Sequence, residues 1–230
     1  MSWNPLRRLN LLAPLAILFA SALAAEAEGP QPTLGAKPPE GAVVLFDGTD
    51  ASKWKGGRVE EGCLREGPTT KDSFGSAQIH LEFSIQPLPD GKRPHGNSGV
   101  YIQRRYEIQV LNSAGQPPSK GGCAAIYQFK PPDTNASLPP GEWQSVDITF
   151  HQPRWDGDTK VKNARITVVH NGVKVQDDVE VPRKTGSGQK EGPEPGPLFL
   201  QNHGAKVLYR NIWLLPLRDD EGAPKAAETR

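Results

Sequence analysis

Apolar residues in this chain recur at every second position, in short runs that stop at Gly, Pro, Asn or Asp. In SAQIHLEFSI at 76–85, Ala77, Ile79, Leu81, Phe83 and Ile85 share one face, and Gln78, His80, Glu82 and Ser84 share the other. A period of two is the mark of a β-strand with one face against a core. VDITF at 146–150 repeats the pattern. NARITVVH (163–170) and VKVQDDVEV (173–181) flank Asn171-Gly172, a dipeptide that tolerates positive φ at both residues and therefore reads as a tight hairpin turn. Further strands are expected at 42–46, 58–66, 98–103, 105–111, 123–128, 197–202 and 206–215. The 24 Gly and 23 Pro among 230 residues argue against a helical bundle. The expectation is one all-β domain over 41–217, with about ten or eleven strands in two packed antiparallel sheets.

The ends read differently. Residues 1–25 carry Arg7 and Arg8, an apolar stretch from Leu11 to Phe19, and a small-residue run ending in an A-x-A at 22–24. This is the form of a cleavable export signal, so the protein is expected in the periplasm or outside the cell. No later segment is long and apolar enough to cross a bilayer, and no stable membrane insertion is expected after cleavage. Residues 26–40 (EAEGPQPTLGAKPPE) and 218–230 offer almost nothing to bury and are expected to be a flexible leader and tail. The 27 Lys plus Arg nearly cancel the 26 Asp plus Glu, and no basic run is interleaved with aromatics, which argues against a nucleic-acid partner. Cys63 and Cys123 are the only two cysteines. An exported chain could pair them, or they are two separate small buried hydrophobes; their spacing decides neither.

Three polar clusters could carry chemistry. His80 and Glu82 project side by side from one strand face, a spacing that suits a base with its orienting partner or two ligands of one metal, and equally an ordinary solvated face. In GNSGVYIQRRYEIQVLNSAG at 96–115, Arg105, Glu107 and Gln109 share a face opposite Tyr106, Ile108 and Val110, just after the turn Asn97-Ser98-Gly99. A surface charge ladder would look the same. Gln201, Asn202 and His203 interrupt the apolar run near the last strand. There is no G-x-S-x-G elbow, phosphate loop or H-E-x-x-H. A two-carboxylate glycosidase would need a second strand acid near Glu107, and Ile108, Gln109 and Val110 stand there instead. The long polar segment RKTGSGQKEGPEPGP at 183–197 is either mobile or borders a functional site.

Seven segments then occur in one order: GAVVLFDGTDASKWKGG, QIHLEF, GNSGVYIQRRYEIQVLNSAG, AAIYQFKPP, GEWQSVDITFHQPRWD, VVHNGVKVQDDVEV and GPLFLQNHGAKVLYRNIWLLPL. Together they resemble the 3-keto-disaccharide hydrolase domain across residues 41–217. The resemblance implies a concanavalin A-like jelly-roll sandwich and cleavage of a glycoside already oxidised to a ketone at C3 by a separate sugar 3-oxidoreductase. It implies Glu82 or Glu107 as base, Arg105 or a divalent metal as enolate stabiliser, and His203 or His80 as acid. His80, Asn97, Ser98, Gln109 and Gln201 are the candidate substrate contacts, and Glu82, Glu107 and His203 the candidate metal ligands. One departure stands out: the family commonly has Gly soon after the Tyr of its AIY motif, whereas Tyr127 here precedes Gln128-Phe129, which implies a reshaped loop beside the cleft. The competing reading on the same fold is a non-catalytic carbohydrate-binding module, which would show exposed Trp or Tyr platforms.

Overall fold

The computed structural model describes residue 1 and residues 33–65, 67–87 and 96–218. The export segment after residue 1, residues 26–32 of the leader and residues 219–230 of the tail lie outside the described residues. Among the described residues there are fifteen strands and no helix. The larger sheet contains β1 (Val43–Phe46), β3 (Arg58–Glu60), β4 (Cys63–Arg65), β6 (Ala77–Ile85), β9 (Trp143–His151), β12 (Ala164–His170), β13 (Val173–Val181) and β15 (Val207–Pro216). Its order is β13-β12-β9-β6-β15-β4-β3, with β1 also paired to β15. The smaller sheet runs β2-β5-β14-β7-β8, from β2 (Trp54–Lys55), β5 (Thr69–Thr70), β14 (Phe199–Leu200), β7 (Ser98–Ile102) and β8 (Tyr106–Val110). A separate hairpin joins β10 (Arg154–Asp156) to β11 (Thr159–Lys162). Every pairing is antiparallel.

The alternation read from sequence sets the packing. Ile79, Leu81 and Phe83 of β6, Val146, Ile148 and Phe150 of β9, and Ala164, Ile166 and Val168 of β12 enter one buried cluster with Val100, Ile102, Tyr106, Ile108 and Val110 of the smaller sheet. Burying each large apolar side chain contributes roughly 1.5–3 kcal/mol. Asn171 (φ 50°) and Gly172 (φ 80°) form the expected hairpin turn between β12 and β13. Residues 58–66 divide into two strands because Glu61 and Gly62 turn with positive φ. The strand expected at 123–128 is absent. That stretch is a turn-rich loop tied to β8 by one bridge, Ile108 to Ile126, and by backbone hydrogen bonds of Ala124, Ala125 and Tyr127 to Gln109 and Glu107, and its buried alanines pack without continuing a regular strand. Cys63 and Cys123 are both buried and unpaired.

His170 continues the inward face of β12 and is fully buried. Its ring stacks on Phe83, its Nε2 lies 3.0 Å from Gln144 Oε1, and its Nδ1 has no partner. Burial lowers its pKa from 6.5 to about 4. The unfolded chain therefore takes up a proton that the fold refuses, so stability is complete above about pH 6.5 and falls as pH drops toward 4. The loss is about 3 kcal/mol over that window. Urea melts at pH 7 and pH 4.5 should show it, and His170→Asn should remove most of the difference.

Candidate active site

The two carboxylates singled out by sequence do not meet. Glu82 lies on β6 of the larger sheet and Glu107 on β8 of the smaller one. Both strands turn their apolar residues toward the shared core, so the two acids point out of opposite sides of the sandwich. A common Glu82–Glu107–His203 site, catalytic or metal-binding, is thus corrected. Among the described residues no group of three or more His, Cys, Asp or Glu is placed to hold a metal ion. The residues present do not fit the metal that the resemblance admitted.

On the larger sheet, the polar face of β6 is covered by the chain itself. His80 and Glu82 are fully buried. His80 Nδ1 lies 2.7 Å from Asp147 Oδ1, and its ring stacks on Trp213 at 5.0 Å. Glu82 accepts from Gly35 N at 2.6 Å, Asn211 Nδ2 at 2.9 Å and Arg210 Nε at 2.7 Å. Desolvation alone would raise the Glu82 pKa, but these three donors outweigh it and the net shift is downward. Thr33 reaches Ser145 and Asp147, and Asn211 and Trp213 both donate to Ala36 O. The described part of the leader, 33–40, is therefore packed rather than flexible, and His80 and Glu82 serve structure. Glu82→Ala should cost about 2–4 kcal/mol, since it strands Gly35 N, Asn211 and Arg210 without their acceptor. Chemical denaturation checks this.

On the smaller sheet, β7 and β8 build a different arrangement. Gly99 and Tyr101 face away from the core, as do Glu107 and Gln109 directly opposite them. Phe199 and Gln201 continue this face, since Leu200 between them is in the core and pairs with Val100. Glu107 is the centre. A Cβ on Gly99 would fall 2.5 Å from Glu107 Oε1, so glycine is what lets the carboxylate lie across the sheet. Tyr101 Oη donates to Glu107 Oε2 at 2.6 Å. The Gln109 amide, turned to suit its neighbours, places its nitrogen 3.1 Å from both Glu107 Oε1 and Ser98 O and turns its oxygen to the Asn97 amide, 3.1 Å away. The Gln201 Oε1 atom is buried without a partner, a polar acceptor aimed at this face.

Glu107 is 1 % exposed, and burial raises its pKa against the lowering effects of the Tyr101 hydroxyl and of His203. No second carboxylate is among the groups acting on it. His203 is exposed, close enough to be felt by Glu107, in the turn after β14. A lone buried carboxylate with a raised pKa is suited to take a proton from carbon at neutral pH, with an imidazole nearby to give one.

Two other sequence candidates take different parts. Ser98 points inward, donating to Gln201 O at 2.6 Å and lying 2.6 Å from Tyr209 Oη, so it supports the sheet and lies on the face opposite Glu107. Arg105 sits in the Gln103–Arg105 turn, where its guanidinium donates to Gln103 Oε1, Lys190 O and Glu194 O; these contacts hold the 183–197 segment, and the enolate-stabiliser role is corrected. Tyr101 and the backbone around Gly186 were missed. Tyr101 was findable, because Val100 and Ile102 leave it on the face shared with Glu107. Gln128 takes φ 59°, the left-handed region that glycine favours, and so carries backbone strain in this loop.

An antiparallel β-sandwich of this topology is a concanavalin A-like domain of the carbohydrate-active class. The family profile of the 3-keto-alpha-glucoside-1,2-lyase-like domain matches residues 41–215, and the chain belongs to that family. The crystal structure of a candidate glycosyl hydrolase from Parabacteroides distasonis ATCC 8503 is 31 % identical over 78 % of this chain and 85 % of its own, with a TM-score of 0.69. A second candidate glycosyl hydrolase from that organism is 21 % identical over 77 % of this chain and 95 % of its own, at TM-score 0.57, which shows the shared fold. No curated protein matches the chain.

Proposed function

We propose that the protein is an exported enzyme that cleaves 3-keto-glycosides by removing the C2 proton and expelling the C1 aglycone. The carrying observation is the lone, buried, pKa-raised Glu107. A ketone at C3 acidifies the hydrogen on C2, and the glycosidic oxygen on C1 lies β to that carbonyl. Glu107 takes the C2 proton, and the C–H electrons pass toward the C3 oxygen as an enolate. They return to form the C1–C2 double bond as the C1–O bond breaks, with His203 as the acid that protonates the departing oxygen. The product is a 2-hydroxy-3-keto-glycal, which either leaves or adds water to give net hydrolysis. Direct displacement at C1 would need a second carboxylate beside the first, and the cleft offers amides instead.

Asn97 and Gln201 are the neutral groups left on this face to meet the enolate oxygen and ring hydroxyls. Tyr101 fixes the carboxylate and, through its hydrogen bond, holds its pKa below where burial alone would put it. Tyr101→Phe should therefore raise that pKa, move the acid limb of kcat/KM to higher pH, and lower the rate at neutral pH by about tenfold. A pH–rate profile of both proteins on a 3-keto-glucoside is the test; an unmoved limb contradicts the assignment of the limb to Glu107.

The substrate must come from oxidation of a C3 hydroxyl to a ketone, so the partner reaction is that of a sugar 3-oxidoreductase. The alternative of a non-catalytic binding module lacks support from the tryptophans. Trp54 is in the core, Trp143 lies under the Arg210 guanidinium, Trp213 is stacked on His80, and Trp155 of the separate β10–β11 hairpin is half-buried with its Nε1 shut from solvent.

A further inference from the structure

The segment 183–197 lies directly on the proposed base. A Cβ on Gly186 would stand 2.1 Å from Glu107 Oε2, 2.9 Å from Tyr127 and 3.2 Å from Tyr101 Oη. Thr185 Oγ1 accepts from Glu107 N at 2.8 Å, and Thr185 N donates to Arg105 O at 2.9 Å. Gln189 N donates to Arg104 O at 2.7 Å. Gly188 and Gly196 press against the same turn so closely that a Cβ on either would fall 2.2 Å from Arg105 O or 2.7 Å from Gln103 O. The segment is thus docked through its backbone, while Arg183, Lys184 and Lys190 keep exposed side chains.

The turn that receives it is itself strained. Gln103 and Arg104 have φ of 52° and 53°, unusual for residues with long side chains. They are held there by Gln103 Nε2 on Phe74 O at 3.0 Å and by the Arg104 guanidinium over the Phe199 ring at 4.1 Å. From this turn Arg105 donates to Lys190 O at 3.3 Å and Glu194 O at 2.8 Å. Tyr106 and Lys160 clasp Glu191 from the other side.

We propose that Arg105 is a positioning residue of the Glu107 site: it latches the 183–197 segment with Gly186 seated on the carboxylate, and a sugar reaches Glu107 only when that latch releases. This rests on Glu107 being the base. The space over Oε2 is held by chain, so the docked state competes with substrate, and apparent affinity falls by the fraction of molecules in which the segment is lifted.

Carbodiimide labelling of Glu107, read by mass spectrometry, tests this without any substrate, alongside limited trypsin digestion at Arg183, Lys184 and Lys190. Arg105→Ala and Gly186→Ala, the second of which wedges the segment off the carboxylate, should each label about tenfold faster or more than wild type. Both should be cut faster within the segment while β12 and β13 stay intact. On a 3-keto-glucoside, KM should fall by a similar factor with kcat retained, a split that general loss of stability would not give. If Arg105→Ala does not fold, Gly186→Ala decides alone. Wild type labelling as fast as the variants would overturn the latch. Faster labelling together with full turnover by Glu107→Gln would instead leave the latch standing and overturn the base.

Discussion

Glu107→Gln is expected to lower turnover of a 3-keto-glucoside by about 10²–10⁴-fold, the span a positioned general base contributes. The substitution is nearly isosteric, and the amide oxygen still accepts from Tyr101 Oη, so the packing around residue 107 keeps its shape. What is lost is the lone pair that takes the C2 proton. The fold should not suffer. Burial raises the Glu107 pKa, so its ionised form costs stability at neutral pH, and a neutral amide removes that cost. The melting temperature should hold or rise while activity collapses. Glu82→Ala should do the reverse, since Glu82 is stabilised as a carboxylate by three donors and serves packing. Crossing the two variants separates a catalytic acid from a structural one. Wild-type rates for Glu107→Gln would reduce Glu107 to part of the sheet.

The contrast between these two glutamates also marks how far the sequence could be read. Alternation in 76–85 and 105–111 correctly put both acids opposite an apolar face, because the period of a strand is local and each strand reports its own core side. Which sheet a strand joins is not local. β6 and β8 are separated by one hairpin arm, yet one pairs with β9 and β15 and the other with β7. Nothing in the two runs records that choice, so two acids on polar faces looked like one site. The packed leader was unreadable for a related reason. Gly35, Ala36 and Thr33 work through backbone groups and one hydroxyl, and such contacts leave no apolar pattern in a sequence rich in Pro and Gly.

The 183–197 segment was legible as a long polar loop beside a site, but its meaning lay in three close backbone approaches. Gly186, Gly188 and Gly196 each press on an atom from the 101–107 hairpin or its neighbours, and a glycine in a loop can equally be a simple turn. The short strands β2 and β5 were also hidden, at two residues each, because so short a pairing has no period to detect, and the strand expected at 197–202 shrinks to the two residues of β14. Four of the candidates read from sequence, by contrast, fall together. Asn97, Glu107, Gln109 and Gln201 share one face because β7, β8 and β14 are neighbours in one sheet.

The second large effect is dependence on prior oxidation. An ordinary glucoside has no carbonyl at C3, so its C2 hydrogen is far too weakly acidic for a carboxylate to remove, and the cleft has no second acid for displacement at C1. Unoxidised glucosides should be inert where their 3-keto forms react. The most direct measurement is incubation of a 3-keto-glucoside and its unoxidised parent with the protein in deuterated water, followed by mass spectrometry and NMR at C2. Cleavage of the 3-keto form alone is expected, with deuterium entering C2 of recovered substrate or of hydrated product, and no label with Glu107→Gln. Efficient cleavage of the unoxidised glucoside with C2 unlabelled would contradict it and leave a conventional glycosidase.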